Sequence, residues 1–126
     1  MKTQISTPNA PAAVGPYSQA IKTGNLLFVS GQLPINPTTG AMCEGSIEKC
    51  TRQALQNLVA IVTEAGATMN DVVKTTVFLA DIADFAKANG VYAEFFGQPF
   101  PARSAFEVAT LPLGGRIEIE AIVAVS

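Results

Sequence analysis

The sequence predicts an α+β domain: a mixed β-sheet of about six strands with two α-helices packed on one face. Three observations carry this. An apolar stripe at helical spacing runs through residues 46–65, a second covers about 81–97, and β-branched, partly alternating segments stand before and after each. The resulting order is ββ(β)–α–β–α–β–β. Right-handed strand–helix–strand steps then put both helices on the same side of the sheet.

The elements follow in order. Residues 7–16 hold three prolines and a glycine and read as a semi-rigid lead-in. Residues 17–30 read as a hairpin turning at Gly24-Asn25, with Tyr17, Gln19 and Ile21 on one strand face. Pro34–Gly40 is a loop of turn residues, and 41–45 can add one short strand. Ser46 is the expected N-cap of the first helix and Gly66 its C′ residue; Ile47, Ala54, Leu55, Leu58, Ile61, Val62 and Ala65 form its apolar face. Val72–Ala80 is the strongest strand. Asp81 opens the second helix, with Asp84 at N3 in a capping-box-like arrangement, and Phe85, Ala88, Tyr92, Phe95 and Phe96 make its apolar stripe. Aromatics at that spacing are read as core. Ala102–Val108 and Arg116–Val125 are the last two strands. Ile117, Ile119, Ala121, Val123 and Val125 share one face of the final strand. The other face starts polar at Arg116, Glu118 and Glu120 and ends apolar at Ile122 and Ala124. A second face with apolar residues is expected to be covered, most economically by another copy of the chain.

At 126 residues, one domain spanning 1–126 is expected. The composition is 48% hydrophobic and 14% charged, well short of the usual quarter, which fits an oligomer better than a fully solvated monomer. The net charge is −2 and no basic run occurs, so nucleic acid is not an expected partner. No apolar run approaches the roughly 18 residues that a membrane span needs. The first twenty residues lack a basic stretch followed by an apolar one, and the first arginine is Arg52, so the cytoplasm is the expected compartment. Cys43 and Cys50 have no zinc-motif spacing and are read as free thiols. There is no histidine, which removes His-based triads and the commonest metal ligand. Chemistry here must run on arginine, carboxylates, hydroxyls, backbone groups and water.

Arg103 is the candidate that stands out. It follows two prolines inside a predicted strand, and its rigid fork of donors suits a carboxylate. From these residues alone it is equally a surface ion pair. Gly31, ending the hairpin, is a turn glycine or a site of close approach; Asn89, on the flank of the second helix, is an ordinary surface amide.

Five stretches together resemble the RidA (YjgF) family: NAPAAVGPYSQ (9–19), SGQLPINPTTG (30–40), VVKTTVFLAD (72–81), FPARS (100–104) and IEIEAIVA (117–124). The resemblance runs from about residue 5 to the end. It implies a chorismate-mutase-like α+β fold, a homotrimer with ligand clefts between subunits, and an imine deaminase that needs no cofactor and no metal. The implied substrates are 2-aminoacrylate and 2-aminocrotonate, hydrolysed to 2-keto acids and ammonia. It also implies roles: Arg103 binds the carboxylate, Glu118 handles the attacking water, and Tyr17, Ser30, the Gly31 amide and Asn89 line the cleft. Ala105 stands where bacterial members commonly carry cysteine, so this position can contribute only backbone contacts. The loop at Gly97–Phe100 looks shorter than in some members. A non-catalytic trimer sensing small 2-keto or amino acids would need the same arginine and is the alternative. RNA cleavage ranks lowest, given the charge and the absence of histidine.

Overall fold

A computed structural model describes all residues, 1–126. Six strands form one sheet: β1 (Thr3–Ile5), β2 (Ala20–Thr23), β3 (Leu26–Gln32), β4 (Val72–Leu79), β5 (Ala102–Glu107) and β6 (Ile117–Ala124), in the spatial order β1-β2-β3-β6-β4-β5. All neighbours are antiparallel except β4 and β5, which are parallel and joined through the second helix. Helices α1 (Ile47–Glu64) and α2 (Phe85–Phe95) pack against each other, and α1 lies across β3 and β6.

Helix α1 forms where its apolar stripe and its ends predict. The Ser46 side chain accepts from the Lys49 amide at 3.1 Å. At the other end Gly66 has φ +81°, and the Ala67 and Gly66 amides return to Val62 and Thr63 carbonyls, the 6→1 and 5→2 pair that closes a helix on glycine. Leu55, Leu58, Ile61 and Val62 are buried against Leu27, Val29, Val77, Ile117, Ile119 and Val123 of the sheet. Removing any of the leucines to alanine would cost about 2–5 kcal/mol.

Four sequence expectations change. The first strand is β1, too short at three residues to show a pattern, and β2 begins at Ala20, leaving Tyr17 before the strand. Residues 41–45 form no strand, only an isolated bridge between Ile35 and Met42. Asp81 does cap, accepting from the Ala83 amide at 2.9 Å, but it opens a 3₁₀ turn at Ile82–Asp84. Asp84 forms no capping box; its carboxylate instead meets Arg116 at 3.1 Å, because the guanidinium is a stronger partner than a backbone amide.

The sheet face away from the helices is open in the single chain. It carries Phe28, Ile122, Phe78 and Phe106, with Phe28 43% and Phe106 44% exposed. No helix of the chain is long and apolar enough to cross a membrane.

Candidate functional site

Register decides which side chains can meet. On β5, Arg103 pairs with Thr75 and Ala105 with Val77, both of which face the helices. Arg103 therefore projects toward α2. Its Nη1 donates to Asn89 Oδ1 at 2.6 Å, and its guanidinium carbon sits 5.2 Å from the Phe85 ring centre and 4.8 Å from that of Tyr92. Phe85, Asn89 and Tyr92 are i, i+4 and i+7 on α2, so one helical face supplies the whole cradle. Each aromatic contact contributes about 0.5–1 kcal/mol at such an exposed site. The Tyr92 hydroxyl is itself held at 2.6 Å from that of Thr75.

Arg103 meets no carboxylate. The other two arginines do: Arg52 pairs with Glu94 at 2.9 Å and Arg116 with Asp84. Within the chain, then, Arg103 is not part of an ion pair. One edge of its fork is oriented by an amide and two rings, and the remaining donors are open to a ligand. Ala105 lies two residues on, partly buried against the core.

Glu118 is on the other face. It pairs with Phe78 across β4, while Ile117 and Ile119 on either side are buried under the helices. Its carboxylate packs on Gly31: a Cβ at that glycine would lie 2.8 Å from the carboxyl carbon and 3.0 Å from Cγ. Gly31 is thus a close-approach glycine, and the ladder between β3 and β6 shifts register here, between Val29 and Gln32. Glu118, Glu120, Tyr17, Ser30 and Gly31 line one cavity. Burial, and then the like charge of Glu120, push the Glu118 carboxyl above the ordinary carboxylate range.

Ser30 lines this cavity with its hydroxyl proton already committed. Its hydroxyl already donates to the Ser18 carbonyl at 2.6 Å, so toward a ligand it can only accept. Buried Gln19, from the predicted hairpin face, shapes the cavity instead. It accepts from the Thr7 amide at 2.8 Å and donates to the Pro11 carbonyl at 2.8 Å, folding the proline-rich lead-in over the Glu118 rim. Asn57 of α1 does the same from below, donating to the carbonyls of Leu33 and Ile35 at 3.0 and 2.9 Å.

The candidate residues fall into two groups. Arg103 and Asn89 lie on the helix side; Tyr17, Ser30, Gly31 and Glu118 lie on the open side; the two cavities share no residue. Sequence reasoning missed Phe85 and Tyr92 as parts of the arginine cradle. The available signal was their spacing with Asn89 on one turn-by-turn face. No group of three His, Cys, Asp or Glu side chains could hold a metal ion.

The α+β sheet thus carries an arginine without a carboxylate partner in the chain on one face and a raised carboxylate packed on a glycine on the other. The family model described as Endoribonuclease L-PSP matches residues 7–125, and the chain belongs to that family, the family of RutC and Rid proteins. A RutC family protein of Pyrococcus horikoshii is 57% identical over 122 residues, covering 97% of each chain. A 2-iminobutanoate/2-iminopropanoate deaminase of Bos taurus is 50% identical over 118 residues, covering 94% of this chain and 86% of that protein. Among solved structures, RidA from an Antarctic Psychrobacter superposes with a TM-score of 0.94 at 46% identity, covering 98% of this chain and 99% of that one. Escherichia coli TdcF with bound serine superposes at 0.93 with 40% identity, over 98% and 99%.

Proposed function

We propose that this protein is a cofactor-independent deaminase hydrolysing small 2-imino acids, such as 2-iminopropanoate and 2-iminobutanoate, to 2-keto acids and ammonia. The observation that carries the proposal is the one arginine without a carboxylate partner, held by Asn89, Phe85 and Tyr92 with free donors remaining. The deaminase name of the Bos taurus relative and the serine bound in TdcF support an amino-acid-like ligand.

The half-sites of one chain face opposite sides of its sheet, so the working site is composed of two chains. We place it in a homotrimer, with Arg103 and Asn89 from one subunit facing Tyr17, Ser30, Gly31 and Glu118 of the next. The open apolar face around Phe28 and Ile122 is the surface such an assembly would cover.

The chemistry needs little. Arg103 grips the substrate carboxylate through two parallel hydrogen bonds and fixes C2 beside Glu118. Glu118, ionised, takes a proton from water as the oxygen bonds to C2 and the C=N electron pair moves to nitrogen. Glu118 returns that proton to the nitrogen and then carries the new hydroxyl's proton to it as well, so that the C=O bond forms, the C–N bond breaks and ammonia leaves. A raised carboxyl is a better base than an ordinary one, closer to the pH of its work.

The test couples the protein to a serine or threonine dehydratase that releases the imine. Keto-acid formation should accelerate when the protein is added. Unaltered keto-acid release, together with tight binding of 2-ketobutyrate by calorimetry, would overturn the enzyme in favour of a sensor.

A further inference from the structure

Away from both half-sites, Cys43 and Cys50 meet at the start of α1. Both are free thiols. Cys50 Sγ donates toward Cys43 Sγ at 2.7 Å, about 0.7 Å longer than the ~2.05 Å of a covalent S–S bond. The pair is held from both sides. The Cys43 amide donates to the Pro34 carbonyl at 2.8 Å, closing the 34–43 loop. Cys50 sits in the first turns of a capped helix and leans on the Cys43 and Gly45 carbonyls at 3.6 and 3.7 Å. The Gly45 carbonyl also accepts from Arg116 at 3.2 Å.

We propose that Cys43 and Cys50 are a hydroperoxide-responsive dithiol that closes reversibly to an intrachain disulfide. The two sulfurs differ in access. Cys50 is fully buried, whereas Cys43 is half-buried and faces an open groove lined by Pro34, Met42, Lys49 and Gln53. Burial, and then the bond to Cys43, push the Cys50 thiol up to about 12, so it does not start the reaction.

The steps balance. The Cys43 sulfur attacks a peroxide oxygen; the O–O bond breaks, Cys43 becomes a sulfenic acid, and one water leaves. Cys50 then attacks the Cys43 sulfur; the S–O bond breaks, the Cys50 proton goes to the departing oxygen, and a second water leaves. Two thiols are oxidised, one hydrogen peroxide is reduced, and a thiol reductant reverses the product. Nearby Arg116 favours the negative charge that builds on Cys50 as it attacks. The disulfide fastens the 33–45 loop to α1, and Leu33 and Ile35 of that loop line the Glu118 cavity.

The test is mass spectrometry of the full chain after titration with hydrogen peroxide under native conditions. The intact mass should fall by about 2 Da and return with dithiothreitol, and alkylation should find no free thiol in the oxidised form. Trypsin cuts after Lys49, between the two cysteines, so the disulfide should join peptides Thr23–Lys49 and Cys50–Arg52. In Cys43→Ser, a change at the more accessible position, Cys50 should stay reduced at the same dose. Cys43 gaining two or three oxygens while Cys50 remains alkylatable would overturn the proposal. So would a disulfide between chains, or oxidation of Cys50 in Cys43→Ser as fast as in the parent.

Discussion

Subunit complementation tests the composite site directly. Arg103→Ala and Glu118→Gln should each be nearly inactive alone. Arg103 makes one side-chain hydrogen bond and two ring contacts within its chain, so its removal should cost about 1–2 kcal/mol of stability and leave the fold intact. Toward the substrate it loses two charge-assisted hydrogen bonds at roughly 1.5–3 kcal/mol each, which lowers kcat/KM by at least about 10²-fold. Co-expressing the two variants with different tags, in equal amounts, then mixes the subunits. In a ring where each site draws Arg103 from one subunit and Glu118 from the next, a site is whole only when an E118Q chain supplies the arginine and an R103A chain the glutamate. Every trimer that contains both chains has one such pairing among its three, so about a third of wild-type activity should return in the mixed oligomers. The assay is keto-acid release by doubly tagged, purified oligomers. No recovery in oligomers that demonstrably contain both chains would refute the two-subunit site, because a site built within one chain never regains both residues by mixing.

Three further outcomes are expected. Gly31→Ala should fold, since Gly31 needs no left-handed backbone and its new Cβ meets only the flexible end of Glu118. It should nevertheless lower kcat by about 10²-fold by pushing that carboxylate out of place, as read from steady-state kinetics against thermal melting. Glu118 has a raised carboxyl in the folded state, so folding favours its neutral form. Its stability contribution is greatest below the unfolded value of about 4 and declines as pH rises through the raised folded value. Glu118→Gln should therefore melt higher than the parent at pH 7, with the gap closing in acid, while the parent's kcat falls on acidification and Glu120→Gln shifts that acid limb downward. Tyr92→Phe should lose about 1 kcal/mol through the unpaired Thr75 hydroxyl and keep its KM, whereas Tyr92→Leu, without the ring beneath Arg103, should raise KM several-fold.

Much of this protein is local, and local features can be read from a single chain. Helix α1 depends on spacing and two end residues, Ser46 and Gly66, whose energetics act within one turn. The inward face of β6 follows from strict alternation, and the alternation also marks Glu118 as facing away from the helices. The absence of histidine already removes His-based triads and the commonest metal ligand. By contrast, β1 and the 3₁₀ start of α2 were hidden: three residues carry no period, and Asp84 was read by its distance from Asp81 when its partner, Arg116, comes from 32 residues away.

The sequence by itself determined the two helices, the main strands, the family and the residue types available for catalysis. Only the tertiary structure decided that Arg103 has no carboxylate partner within the chain, because whether a guanidinium is paired depends on which carboxylates the fold brings near it, and the fold brings none. It also decided that Phe85 and Tyr92 serve the site as well as the core, that Ser30 has already given its proton to Ser18, and that Gly31 is a glycine because Glu118 lies on it. Above all it placed Arg103 and Glu118 on opposite faces of one sheet. Register sets that division, since a side chain's face follows from its strand's pairing, and the sheet's order joins β5 to β6 only through β4.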